Sequence, residues 1–381
     1  MVIGILKEPQ GENRVSLLPE TLKQLVDRKM SVQIETMAGF QAFADDRHYE
    51  TAGASVTTRE AILREADLIL AIHPPERKDF SLCRAGTLWL GVYDPLYRED
   101  LMMQMAGANL TVFSMDNIPR TTRAQNMDVR SSQANIAGYK AVLLAAFTYA
   151  RYFPMLMTAA GSIPPAKMLV LGAGVAGLQA IATGRRLGAV VEVFDTRPAV
   201  KEEVMSLGAH FVEVAGARDP SQAGGYAVEQ SEAYQQQQKE KIAESVAKAD
   251  IVITTAQIPG RKAPVLITRA MVEGMRAGSV IVDLAASSGG NTELTKDNET
   301  VQHKGITIIG DANLPSAMPS DASKLYGKNV LNFLKLMIDD EGKINLNFAD
   351  ELVSGTCIAH GGTITNQRVK TFYEEHAGQQ H

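Results

Sequence analysis

The sequence predicts an α/β protein of two doubly wound, parallel-sheet, Rossmann-like domains, the second inserted into the first, with a cleft between them. Three observations carry this. At 381 residues the chain exceeds the length at which a single hydrophobic core usually stops growing. Short β-rich runs alternate with helical ones in two separate series, which is the rhythm of βαβ units. The second series opens on a glycine turn, "GAGVAG", between a buried apolar run and a helical one.

In chain order, "VIGIL" reads as a strand, "PETLKQLVDRK" as a helix entered through a proline, and "SVQIE" as the next strand. "ADLILAI", "GTLWLGVY" and "ANLTVFSM" follow as strands, the last after an amphipathic helix. From about Ser131 to Tyr152 the period is helical, with Ala137, Ala141, Leu144 and Ala145 on one face. This helix is the expected crossing between domains, and it leads into a loop containing "GSIPPAK". The second series then runs "KMLVL", the glycine turn with its helix, "AVVEVFD", "HFVEV", "ADIVITTA", "GSVIVDLA" and "ITIIG". "ASKLYGKNVLNFLKLMID" reads as a helix returning the chain to the first domain, "LVSGTCIAHGGTIT" as a hairpin, and the last residues as a polar tail. The expected domains are 1–130 with 318–381, and 131–317. A Gly-, Ala-, Ser- and Gln-rich connection at about 215–234 is long for a compact domain, as lids and disordered insertions are. Tyr226 is the residue in it able to stack on, or hydrogen-bond to, a ligand; a plain surface insertion would read the same way.

Composition narrows the function classes. The formal charge is −5, from 38 basic and 43 acidic residues, and no basic run is long enough to track a phosphate backbone, so no nucleic-acid partner is expected. Cys83 and Cys357 lack the neighbouring ligand spacing of a zinc site, and no metal is expected. "MVIGILKEPQGENRV" has no secretory apolar region, and "AVLLAAFTYA" falls well short of the ~20 residues of a membrane helix. A cytoplasmic protein is the expectation.

Gly172, Gly174 and Gly177 form a G-x-G-x-x-G directly after a strand and at the start of a helix. Such glycines allow a tight turn, close backbone approach to a pyrophosphate and close helix-to-strand packing, with Val175 and Ala176 offering N–H groups at the helix N-terminus. Asp195 ends the next strand about twenty residues on, where a carboxylate accepts the adenosine ribose hydroxyls and repels a 2′-phosphate. NAD(H) is therefore favoured over NADP(H). Thr196 and Arg197 follow; an arginine there can serve a 2′-phosphate, but "TRP" reads more simply as a turn. The later strand ends, "TTAQIPG" with Gln257 and "DLAASSGGN", fall on the same side of the sheet. An alcohol or amine dehydrogenase also needs a positioned acid or base. His73, His303 and His360 lie in or near loops with no obvious carboxylate partner, and His376 and His381 in the polar tail.

The runs "PRTTRAQNMDVRSSQANIAGYKAV", "GAGVAGLQAIATGRRLGAVV", "AGGYA", "ITTAQIPGRKAPVLIT" and "GSVIVDLAASSGGN" resemble the NAD(H)-binding domain I of proton-translocating nicotinamide nucleotide transhydrogenase. The similarity covers nearly the whole chain, and the RAQ-containing loop is its most specific part. The sister family, alanine dehydrogenase, shares the fold and the amino-terminal "KE…E-x-R-V" pattern. Alanine dehydrogenases carry a substrate-binding lysine after "DLILAIHPP" and a catalytic histidine near "LWLGVYDP"; this sequence has Ala71 at the first place and no histidine within the second. Transhydrogenase domains usually have a lysine near position 71 too, so Ala71 departs from both families.

The resemblance implies roles residue by residue. Asp128 would pair with Arg120 to fix the nicotinamide loop, Arg120 and Ser131 would grip the carboxamide, and Gln125 would reach towards the second nucleotide. Tyr226 matches the tyrosine of a mobile loop that closes over nucleotide, and Asp195 matches the adenosine-ribose carboxylate. Tyr139 also matches, although a packed tyrosine would stand there equally well. The resemblance further implies a homodimer, NADP(H) on a partner subunit, membrane-spanning partners that move protons, and a peripheral place on the inner face of the cytoplasmic membrane. The alternative activity is that of an alanine dehydrogenase-like amino-acid dehydrogenase.

Overall fold

The computed structural model describes residues 1–214, 232–311, 313–339 and 341–377. Tyr226 and nearly all of the connection expected at about 215–234 lie outside them. Two compact units emerge, one of 1–133 with 316–381 and one of 134–315.

The first unit begins with β1 (Val2–Ile5), then α1 (Pro19–Val26), whose Pro19 supplies a preset φ at the first helical position. β2 (Ser31–Glu35), β3 (Ser55–Thr57), β4 (Leu68–Leu70), β5 (Leu88–Gly91) and β6 (Thr111–Ser114) follow. The long helix α2 (Val129–Thr148) then carries the chain out of this unit.

The second unit contains a two-stranded antiparallel hairpin, β7 (Leu156–Thr158) with β8 (Gly161–Ile163), where the sequence suggests only a loop. β9 (Lys167–Leu171) leads through the glycine turn into α3 (Val175–Arg186), and β10 (Val190–Phe194) lies parallel to β9. β11 (His210–Phe211), β12 (Ile251–Thr254), β13 (Val280–Asp283), β14 (Thr300–His303) and β15 (Ile306–Ile309) complete the described sheet, in the order β11-β10-β9-β12-β13-β15-β14. All pairs are parallel except β14 with β15, an edge pairing absent from the sequence-based expectation. The central strands are buried on both faces: Met168 and Val170 pack into one core and Leu169 and Leu171 into another. Residues of period two thus feed two cores, as a sheet covered on both sides requires.

Back in the first unit, α4 (Pro319–Leu334) precedes β16 (Cys357–His360) and β17 (Thr363–Ile364). The first sheet, as described, runs β17-β16-β6-β5-β4-β1-β2-β3, with the last two strands of the chain antiparallel at one edge. Here too alternation divides the strands: Leu68 and Leu70 face one core, Ile69 and Trp89 the other. Residues Glu351–Thr356, which include the start of the expected hairpin, form a helix capped by the Asp350 carboxylate. A helix over Gln367–Ala377 follows, because Val369 and Tyr373 recur at helical spacing and are buried, and it takes in the first residues of the expected polar tail. Among the described residues no helix is long and apolar enough to cross a membrane.

Candidate functional site

In the second unit β9 has β10 on one side and β12 on the other, so the winding reverses between β9 and β12. Open α/β sheets bind ligands at such a switch, beyond the carboxyl ends of the strands. The glycine turn sits there. Gly172 has a φ of +103°, and a Cβ on Gly177 would stand 1.9 Å from the Gly172 carbonyl oxygen, so the helix packs directly onto the turn. Thr255 Oγ1, just past β12, donates to that same carbonyl at 3.1 Å and backs the turn from the neighbouring strand.

Gly174 caps α3 without any side-chain hydrogen bond, and a Cβ built on it meets nothing within 4 Å. The first N–H groups of a helix have no partner within it, so those following Gly174, at Val175 and Ala176, bring the positive end of the helix to the open space beside Gly174. This cradle fits a dinucleotide pyrophosphate. Beside it, the exposed Gln257 donates through Nε2 to the Leu284 carbonyl at 2.9 Å, and Asn291 Nδ2 donates to the Ala256 carbonyl at 2.8 Å. The loops after β12 and β13 are thereby tied together. Their base is the buried Asp283, which accepts Thr254 Oγ1, Thr295 Oγ1 and the Asn291 N–H at 2.8, 2.6 and 2.6 Å.

Asp195 directly follows β10, with Thr196 half-buried after it. Its Oδ2 accepts the Ala173 N–H at 2.7 Å, which locks it onto the glycine turn. Arg197 is more than a turn residue. Its Nε and Nη2 reach Asp195 Oδ1 and Oδ2 at 2.9 and 2.8 Å, and these hydrogen bonds hold the guanidinium pKa above its ordinary value.

The loop at 120–133 belongs to the first unit and is anchored better than its polar sequence suggests. Thr122–Met127 form a 3-10 turn, and the side chains of Ala124 and Met127 are buried in the core. Arg123 pairs with Asp350 at 2.7 Å, Arg130 with Asp116 at 3.2 Å, and Gln133 Oε1 accepts Arg14 Nη1 at 2.8 Å. The Asn126 carbonyl accepts both Asn329 and Asn332, on α4, at 2.9 and 3.1 Å. Asp128 caps α2: its Oδ1 accepts the Ser131 N–H at 3.0 Å and its Oδ2 the Ser131 hydroxyl at 2.5 Å. Asp128 and Ser131 are thus joined, while Arg120 and Gln125 are exposed.

Sequence reasoning misses a buried polar cluster in the first unit, at the point where its own sheet reverses between β1 and β4. Glu8 accepts the Ile72 and His73 N–H groups at 2.6 and 3.0 Å. His73 does have a carboxylate partner: its Nε2 lies 2.8 Å from Glu12, which also binds Arg14 at 2.6 Å. Burial alone would raise the Glu12 pKa, but the hydrogen bonds from Arg14 and His73 prevail and hold it well below the usual carboxylate range. His303 likewise has a partner, Glu273, at 2.9 Å. The available signal is the run of charges in "KEPQGENR" directly after a buried strand, where Glu8, Glu12 and Arg14 all prove to be buried.

Two family models match the chain, "Alanine dehydrogenase/PNT, N-terminal domain" over residues 4–137 and "Alanine dehydrogenase/PNT, C-terminal domain" over 141–367. The chain is 43% identical over 376 residues to the first part of the NAD(P) transhydrogenase alpha subunit of Rhodospirillum rubrum, an alignment covering 96% of this chain and 98% of that one. The chain belongs to the family of NAD(P) transhydrogenase alpha subunits. A solved transhydrogenase from Sinorhizobium meliloti superposes with a TM-score of 0.85 at 43% identity, over 97% of this chain and 100% of the other. Alanine dehydrogenase 1 of Staphylococcus aureus is more distant, 26% identical over 388 residues and covering 98% of this chain and 97% of its own. Ala71 lies inside the core of the first unit: it is buried directly after β4, and its N–H donates to the Leu90 carbonyl.

Proposed function

We propose that this chain is the NAD(H)-binding component of a proton-translocating transhydrogenase and passes hydride between NAD(H) and an NADP(H) held by a partner subunit. The observation that carries the reading is the open, uncapped N-terminus of α3 at the switch point, with Asp195 locked beside it. The 43% identity to a transhydrogenase subunit over nearly its whole length supports the choice of reaction.

In this role the backbone at Gly172, Gly174, Val175, Ala176 and Gly177 holds the pyrophosphate. Asp195, flanked by Thr196 and Arg197, takes the adenosine ribose, and Gln257 keeps the neighbouring loop in place. Arg120, Gln125, Asp128 and Ser131 serve the nicotinamide end, where Asp128 fixes Ser131 and Gln125 reaches towards the second nucleotide. The nicotinamide itself supplies the hydride chemistry. Exchange between two such rings needs no substrate proton, so these residues align the rings and exclude water instead of acting as acid and base. Membrane-spanning subunits would carry the proton, a second copy of this chain would complete a homodimer, and the assembly would sit peripherally on the cytoplasmic face of the membrane.

The test is reconstitution of the chain with a separate NADP(H)-binding component, following hydride exchange optically. Gln125→Asn is expected to slow transfer far more than it weakens NADH binding; equal losses would refute an aligning role. The amino-acid dehydrogenase reading is disfavoured by the buried Ala71, where those enzymes carry a substrate-binding lysine. NADH formation from L-alanine by the chain alone would reverse that preference.

A further inference from the structure

An ionised carboxylate offers about four lone-pair sites. At Asp195 the chain's own donors fill all four. Oδ1 accepts the Arg197 N–H at 2.8 Å and Arg197 Nε at 2.9 Å, while Oδ2 accepts the Ala173 N–H at 2.7 Å and Arg197 Nη2 at 2.8 Å. The side chain of Asp195 is only 6% exposed and that of Arg197 23%. Two of the four donors are backbone groups fixed by the fold: Ala173 inside the glycine turn, and Arg197 N–H at the strand end just before Pro198. The guanidinium is the donor that can leave, because it hangs on a flexible stem at the rim. A ribose diol can therefore reach this carboxylate only where the guanidinium gives way.

Resting on the proposal that this unit binds NAD(H), we propose that Arg197 is a specificity-determining residue: its guanidinium competes with the ribose hydroxyls for Asp195 and, once displaced, stands beside the 2′ position as a cation. Two consequences follow from charge and hydrogen bonding. NAD(H) must exchange a bidentate ion pair for two bonds from neutral hydroxyls, which weakens its binding. A 2′-phosphate meets a neutral pair instead of a bare carboxylate, and the guanidinium is a ready bidentate partner for phosphate. Arg197 thus narrows the gap between the two nucleotides that Asp195 alone would open.

The experiment titrates the full chain with NADH and, separately, NADPH, following nucleotide fluorescence, with thermal unfolding in the absence of nucleotide as a check on folding. Arg197→Ala is expected to bind NADH more tightly and NADPH more weakly, moving the ratio of dissociation constants by on the order of tenfold or more, the scale of one charge-assisted hydrogen bond. Arg197→Gln keeps a neutral donor near Asp195 and should weaken NADPH with little change in NADH, so it decides the matter if the alanine variant leaves a buried charge that unfolds the unit. Asp195→Asn frees the guanidinium and should shift preference towards NADPH. A purely structural role for Arg197 would lower both affinities in parallel and leave the ratio unchanged in both arginine variants, which would overturn the inference while leaving the NAD(H) site intact. A wild-type chain that binds neither nucleotide would overturn the site itself, and the inference with it.

Discussion

Replacing Glu8 by glutamine should remove a specific limb from the pH dependence of stability. Burial pushes the Glu8 pKa from 4.5 up to about 7, against the two backbone N–H bonds that favour the charged form. The folded chain therefore holds a proton that the unfolded chain has already released between those values. Stability from this group is fully present below about pH 4.5 and is lost as pH rises through about 7. At ~1.4 kcal/mol per tenfold change in proton affinity, the interval amounts to on the order of 3 kcal/mol. Trp89 is the single tryptophan of the chain and is buried in β5 of the same sheet, so urea unfolding followed by its fluorescence reports on this unit. Between pH 5 and 8 the Glu8→Gln variant should lose about 3 kcal/mol less than the wild type. An equal decline in both proteins would show that the proton resides elsewhere. The acid limb provides the control, because Glu12, held low by Arg14 and His73, contributes stability above about 4.5 that disappears as pH falls; that limb should survive in the variant.

Gly177→Ala should cost at least ~2 kcal/mol, and should weaken NADH binding, because its Cβ would stand 1.9 Å from a carbonyl of the turn that must shift to admit it; calorimetric unfolding and nucleotide titration check both effects. Asp128→Ala removes the cap on α2 and should cost ~1 kcal/mol in chemical denaturation, whereas Asp128→Asn, which keeps an acceptor, should recover most of it. Asp283→Ala strands the donors at Thr254, Thr295 and Asn291 in a buried place and should destabilise the second unit by ~3 kcal/mol or more, lowering its melting transition with little change in the Trp89 signal of the first.

The central strands of both sheets are legible in the sequence because parallel strands covered on both faces are nearly continuous apolar runs, as in "KMLVL" and "LILAI". The glycine turn is legible because a tight turn packed directly against its helix needs residues without a Cβ, and the glycine spacing displays that. The edges are not. "SVT" at β3 and "TVQH" at β14 are short and half polar, since edge strands bury one face at most. Side-chain partnerships are also out of reach where they join distant segments: His73 with Glu12, Arg123 with Asp350, and Gln133 with Arg14 depend on how the chain returns on itself. Arg197 illustrates a nearer failure. Two residues from Asp195 and followed by a proline, it reads as a bend, whereas the neighbouring carboxylate dictates where the guanidinium goes.

The pairing of β6 with β16 has a consequence for synthesis. On the ribosome β6, at 111–114, emerges long before its antiparallel partner at 357–360, with the entire second unit made in between. That second unit has all its described strands in one continuous segment and can close as soon as it is free, while the first must wait with one sheet edge open. The nascent chain therefore matures from the middle outward, and the interval before the last strand arrives is when edge-to-edge aggregation threatens it and chaperone shielding would matter.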